Sequence, residues 1–233
     1  MSKAKLPTRR PAAIPDDDGS DVPEAWRRRP WLPLVISGIV IAAVLGSGFA
    51  IDEALKTPRP TALDACATST QIGPHQYIAR QPICITAART YQATVNTTQG
   101  AFVIQLYPQI APVTVNNFIV LALDGYYNGM PWRTDDLVAQ SGDPNGDGTG
   151  GPGYTLPNEP NTTPAWAVGA VGMARPVGGA VNGSQFFIER AVWPGNGPTS
   201  VYNRFGTVIK GMAQAQRLTA PADKIISITI QVG

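Results

Sequence analysis

The chain is nearly without the side chains on which metal sites and nucleophilic catalysis usually depend. Among its 233 residues there is one histidine, His75, and two cysteines, Cys66 and Cys84. A structural zinc site gathers four such ligands, and this composition cannot supply them, so no metal is expected. Charge is also sparse: 15% of residues are charged and the net charge is +2, with no Lys/Arg stripe interleaved with aromatics. That balance argues against a nucleic-acid partner. The run Gly148-Thr149-Gly150-Gly151 lacks the Lys-Ser/Thr ending of a phosphate cradle, and no cofactor is expected. What the chain does have in quantity is Gly and Pro, at 24 and 22, which points to a turn-rich β protein with long loops.

Residues 1–31 are rich in Pro, Arg and Asp and poor in apolar side chains. They cannot bury enough surface to offset chain entropy, so they are expected to be a disordered cytoplasmic tail. Residues 32–51, Leu32 to Ile51, carry no charge. As a helix, a run of that length crosses roughly 30 Å of hydrocarbon. Arg27-Arg28-Arg29 precede it and Asp52 and Glu53 follow it. The positive-inside rule then predicts a single-pass transmembrane helix in the cell membrane, with the N-terminus cytoplasmic and the C-terminal part extracytoplasmic. A cleaved signal peptide is the rival, but the apolar run is long and the charged tail before it extended, which favours an uncleaved anchor. Both cysteines fall on the exported side, where a Cys66–Cys84 disulfide is expected. Residues 52–89 read as a linker and small disulfide-stapled segment, and 90–233 as the globular domain.

Within that domain Tyr91 to Thr97 alternates apolar and polar residues, and so does Ala101 to Tyr107, with Thr98-Gln99-Gly100 as the hairpin turn between them. Pro112 opens a helix whose stripe is Val115, Phe118, Ile119 and Ala122, with Gly125 placed to end it and Asn116 and Asn117 expected on or near its wet side. Met212 to Leu218 predicts a second short helix. Ile226, Ile228, Ile230 and Val232 alternate with polar residues as a closing strand. Periodicity alone therefore gives a mainly β domain with two helices.

Several motifs follow one another in order: Gln140-Ser141-Gly142-Asp143-Pro144, the glycine-rich Gly148 to Tyr154, Val171-Gly172-Met173-Ala174, Asn182-Gly183-Ser184-Gln185-Phe186-Phe187-Ile188, Trp193, and Phe205-Gly206. From about Tyr91 to the C-terminus this resembles the cyclophilin family of peptidyl-prolyl cis/trans isomerases, in a membrane-anchored, bacterial-like form. The resemblance implies a closed eight-stranded antiparallel β-barrel capped by two helices. It also implies a substrate, proline-containing polypeptides, and a reaction without nucleophile, metal or cofactor. The X-Pro bond turns slowly, against a barrier of about 18–20 kcal/mol set by C–N double-bond character. Cyclophilins hold the proline ring in an apolar pocket, grip the backbone with a Gln, and set an Arg near the prolyl nitrogen.

Carried over by that resemblance, Arg133, Gln140 and Phe187 are the candidate catalytic residues. Leu137 and Val138 stand where the family has Phe and Met in the pocket. Ala174 and Gln185 border the groove for the residue before proline. Trp193 matches the rim tryptophan, and Tyr202 falls where a His or Tyr closes the pocket. Two departures accompany the match. Trp132-Arg133-Thr134 replaces Phe-His-Arg, with Arg133 one residue nearer to Gln140 than usual, which in β structure can turn a side chain to the other face. Arg175 stands where the family has Asn and could reach the groove from its other side. A calcium loop at Asp143 to Gly148 is disfavoured, because Tyr154 occupies the position of the bidentate Glu. The expected protein is a monomeric, membrane-anchored prolyl isomerase assisting folding of exported or cell-envelope proteins. The alternative is a catalytically weak module that binds Pro-containing segments as a chaperone or scaffold.

Overall fold

The structure, a computed structural model, describes residues 59–161, 163–193 and 202–233. The expected membrane span Leu32–Ile51 and the tail before it lie outside the described residues. Among the described residues no helix is long and apolar enough to cross a membrane. Residues Thr57–Gly233 form one compact unit.

The stapled segment opens that unit. A 3-10 turn (Thr61–Leu63) leads to a small ribbon of β1 (Gln71–Gly73) and β2 (Gln76–Tyr77), and Cys66 is bonded to Cys84 as expected. The segment joins the main core instead of standing apart, because Leu63, Cys66 and Tyr77 are buried in the same apolar cluster as the barrel residues.

Eight antiparallel strands then make one curled sheet, in the spatial order β12-β3-β4-β11-β8-β10-β6-β5. They are β3 (Tyr91–Thr97), β4 (Gly100–Leu106), β5 (Arg133–Thr134), β6 (Val138–Ser141), β8 (Ala170–Met173), β10 (Phe186–Glu189), β11 (Arg204–Lys210) and β12 (Ile225–Val232). A separate pair is formed by β7 (Thr155–Leu156) and β9 (Val181–Asn182). The alternation read in β3 and β4 holds. Tyr91, Ala93, Val95, Phe102, Ile104 and Leu106 all point inward. In β12 a register shift between Ile225 and Ser227 moves the phase by one, so Ile225 is buried and Ile226 is 58% exposed.

The expected closed barrel is corrected to an open one. The outer strands β12 and β5 approach each other only through a lone bridge, Pro131 to Lys224, and through hydrogen bonds such as Trp132 N–H to Asp223 O at 3.0 Å. The strand on that edge is two residues long, and Pro131 beside it has no N–H to extend the ladder.

Helix α1 (Pro112–Leu123) starts with Pro in its first turn, and a distant carboxylate, Glu159, accepts the N–H groups of Val113 and Thr114 at 2.9 Å each. That satisfies donors a helix start leaves open. The expectation for Asn116 and Asn117 is also corrected, since both are buried. Asn116 accepts the Cys84 N–H and donates to Pro82 O, tying down the stapled segment. Asn117 donates to Gly183 O at 2.6 Å and accepts from the Tyr154 hydroxyl. Thr114 to Ala122 are all buried, so the middle of the helix has no wet face. Helix α2 (Met212–Arg217) follows β11 directly.

Candidate functional site

Strand register assembles the site. Arg133 lies directly opposite Gln140, Gln140 opposite Phe187, Phe187 opposite Gly172, and Gly172 opposite Arg204. Cross-strand partners project to the same face, so these five residues form one row across the outer face of the sheet. Trp132 and Phe186, one position away, go inward, where their rings meet at 5.7 Å between centroids. The altered arginine run therefore still delivers Arg133 to the face that carries Gln140.

Two cavities open along the row. The smaller, about 100 Å³, is lined by Val138, Gln140, Ala174 and Arg175 and by three aromatic residues, Phe187, Trp193 and Tyr202. The Tyr202 ring stands edge-on to Phe187 at 5.2 Å and the Trp193 ring lies 6.5 Å away. The larger, about 540 Å³, is bordered by Arg133, Gln140, Gly148, Ala174, Arg175 and Gln185. Val138, Gln140, Ala174 and Arg175 are shared by both. Arg133 lines the larger cavity only. Arg175 lines both, and its guanidinium donates to Gly179 O and to Asn158 Oδ1.

Of the residues expected in the pocket, Leu137 is not brought there. Val138 and Gln140 share a face by alternation, and Leu137 falls out of phase with them. Its backbone is used instead, its carbonyl accepting the Arg190 N–H at 2.7 Å.

The polar side of the groove is built by the turn before β10. Asn182 Oδ1 accepts the N–H groups of Ser184 and Gln185, each at 2.9 Å. Gln185 donates to Gly150 O at 2.6 Å and to Gly148 O at 3.0 Å, and accepts from Gln140 Nε2 at 2.6 Å. The buried Asp143 carboxylate receives the N–H groups of Asn145, Gly148 and Gly150. Its oxygens are thus engaged in folding the glycine-rich loop. Gly148 sits at φ +95°, and a Cβ there would come within 2.3 Å of Arg133 Nη1. The arginine therefore lies against a bare stretch of backbone. Asp147, beside it, has its carboxyl held below the usual range by the Thr149 hydroxyl and N–H. The stapled segment braces the same loop from behind, with Gln76 donating to Gly151 O at 2.7 Å and the Tyr77 N–H to Pro152 O at 2.9 Å.

One aromatic of the site was not legible in the sequence. Trp166, from the loop before β8, stacks on Phe187 with ring planes 10° apart and centroids at 5.8 Å. A tryptophan in a Pro- and Thr-rich loop has no secondary-structure reason to be there, and that was the available signal. Beyond it, Arg204 is buried and Glu189, opposite Val138, is 1% exposed. Burial pushes the Glu189 carboxyl up to about 7, with the Arg204 charge pulling the other way.

The family model described as cyclophilin type peptidyl-prolyl cis-trans isomerase/CLD matches residues 92–229. Peptidyl-prolyl cis-trans isomerase B of Bacillus subtilis is 41% identical over 119 residues, covering 49% of this chain and 80% of the relative. A peptidyl-prolyl cis-trans isomerase of Synechococcus elongatus is 37% identical over 142 residues, covering 60% and 95%. Among solved structures, a Cryptosporidium parvum cyclophilin type peptidyl-prolyl cis-trans isomerase, determined in the presence of the dipeptide Ala-Pro, superposes with a TM-score of 0.54 at 25% identity. That likeness covers 60% of this chain and 98% of the other. The chain belongs to the cyclophilin-type peptidyl-prolyl cis-trans isomerase family.

Proposed function

We propose that the chain catalyses rotation about X-Pro bonds of polypeptides outside the cytoplasmic membrane, held there by the apolar run Leu32–Ile51. The observation that carries the catalytic part is the cross-strand row Arg133–Gln140–Phe187. In this reading the proline ring enters the small cavity against Phe187, between Trp193 and Tyr202. Gln140 holds the neighbouring backbone. Its Nε2 is engaged by Gln185, so its carbonyl oxygen faces the groove as an acceptor. Arg133 swings from its rest beside Gly148 and donates near the prolyl nitrogen, favouring the pyramidal nitrogen of the twisted bond. Catalysis then consists of binding the twisted state better than either planar isomer. The Ala-Pro dipeptide present with the C. parvum relative fits a proline-sized pocket of this kind.

A second reading, a module that grips proline with little turnover, draws support from the small cavity having Arg175 and not Arg133 on its wall. A protease-coupled assay on a short X-Pro peptide separates the two. Catalysis predicts cis-to-trans rates proportional to enzyme, and the binding module predicts peptide binding without acceleration. For localisation, protease added to intact spheroplasts should digest the domain at 90–233 and spare an N-terminal epitope. Protection of that domain would overturn the extracytoplasmic reading.

A further inference from the structure

We propose that Trp166, seated between Phe187 and Arg204, is a positioning residue that fixes the floor of the proline pocket. The inference rests on the reading of Phe187 as that floor. In the cross-strand row Phe187–Gly172–Arg204 the central position has no side chain. Trp166 fills the slot above it. A Cβ on Gly172 would come within 2.7 Å of Trp166 Cη2 and 2.9 Å of Phe187 Cζ. One neighbour of the indole is the stacked Phe187 ring, and another is the Arg204 guanidinium, whose carbon is 5.8 Å from the ring centroid.

Arg204 also fixes the loop that delivers the indole. Its Nη1 donates to Pro164 O and to Ala165 O, and its Nη2 to Thr207 Oγ1 at 2.7 Å. A guanidinium can hold several acceptors and still present its flat face to an aromatic ring. The arrangement also makes sense of β6. With Leu137 turned away, β6 lines the cavity with Val138 and the polar Gln140, so that side of the pocket supplies little apolar bulk to hold Phe187 still. Trp166 supplies it from the opposite side. Without the indole, Phe187 has an empty slot to rotate into, and the pocket loses its shape before the substrate arrives.

The test uses the whole chain in detergent or vesicles and compares wild type with W166A, W166F, G172A and R204K. Each is measured for kcat and KM on an X-Pro peptide, for peptide Kd by calorimetry, and for thermal midpoint. The expected result for W166A is a tenfold rise in KM and Kd, about 1.4 kcal/mol, with kcat within threefold. W166F, which keeps a stacking ring, should restore most of the affinity. G172A, which displaces the indole without removing it, should match W166A. Should W166A fail to fold, W166F and G172A carry the comparison. An unchanged affinity in folded W166A, or in G172A should W166A not fold, would overturn the inference while leaving the isomerase reading intact. A wild-type chain that neither binds nor turns over the peptide would sink both.

Discussion

Arg133 and Gln140 face each other across the β5–β6 pair, so their side chains leave the sheet on one face. The guanidinium rests at Gly148 with Asp147 close by, and a second guanidinium, Arg175, lines both cavities. The two can be told apart by rate. Loss of a preorganised donor in such a site costs roughly 10²–10³ in rate. R133A should therefore lose that much in kcat/KM, with R133K restoring little because an ammonium lacks the planar fork. R175A should lose less than tenfold. Equal losses in the two alanine variants would show that Arg133 has no special role.

The amide of Gln185 carries a second expectation. It satisfies two glycine-rich-loop carbonyls and anchors Gln140. Leucine in its place removes all three bonds, at about 0.5–1.5 kcal/mol each, although Gly150 O keeps the bond from Asn182 Nδ2. Q185L should lower the urea midpoint and raise KM together, because the loop and the backbone-holding glutamine loosen at once. A variant with altered KM and unchanged stability would mean the loop is held by other contacts.

Much of this was legible beforehand, for reasons that can be located. The alternation of β3 and β4 and the stripe of α1 are local, and local periodicity reads directly. Asn116 and Asn117 were misplaced because the partners that bury them lie 32 to 66 residues away in sequence. The alternation of β12 holds at Ile228 and Ile230, but its start is out of phase because a bulge inserts one residue, and nothing in Ile225-Ile226-Ser227 marks it. The face taken by Arg133 depends on how the chain turns between Thr134 and Val138. There the Asp135 carboxylate accepts the N–H groups of Leu137 and Val138 and sets the register. The place of Trp166 in a Pro- and Thr-rich loop marks it as unusual, but only the folded sheet brings it beside Phe187.

The Cys66–Cys84 bridge spans a sequence separation of 18. On the chain-entropy estimate, closing a loop of that size stabilises the fold by ~3 kcal/mol. Reduction, or a Cys66→Ser/Cys84→Ser variant, should move the urea midpoint down accordingly. The segment also braces the glycine-rich loop through Gln76 and Tyr77, so KM should rise modestly as well. No change in stability under reductant would mean that burial of Leu63 and Tyr77 suffices without the covalent link.

Glu189 gives the fold a pH dependence of unusual sign. Its carboxyl is buried opposite Val138 and its Oε1 has no hydrogen-bond partner. Burial raises it to about 7, opposed by the Arg204 charge, whereas in the unfolded chain a glutamate titrates near ~4.3. Between those values the folded state keeps a proton that the unfolded state has lost, so stability falls as pH rises through the window. The group's contribution is full below the unfolded value and gone above about 7. Asp223 works in the opposite direction and elsewhere on the scale. Burial would raise it, but hydrogen bonds from Thr98, Thr219 and Gln99 outweigh that and hold it at about 2, so its contribution fades only in acid. The comparison is therefore made between pH 5 and 8, with E189Q as the reference. The substitution should stabilise the protein at the alkaline end and change little at the acid end. Urea melts in which wild type and E189Q keep a constant difference across that range would show that Glu189 does not titrate there.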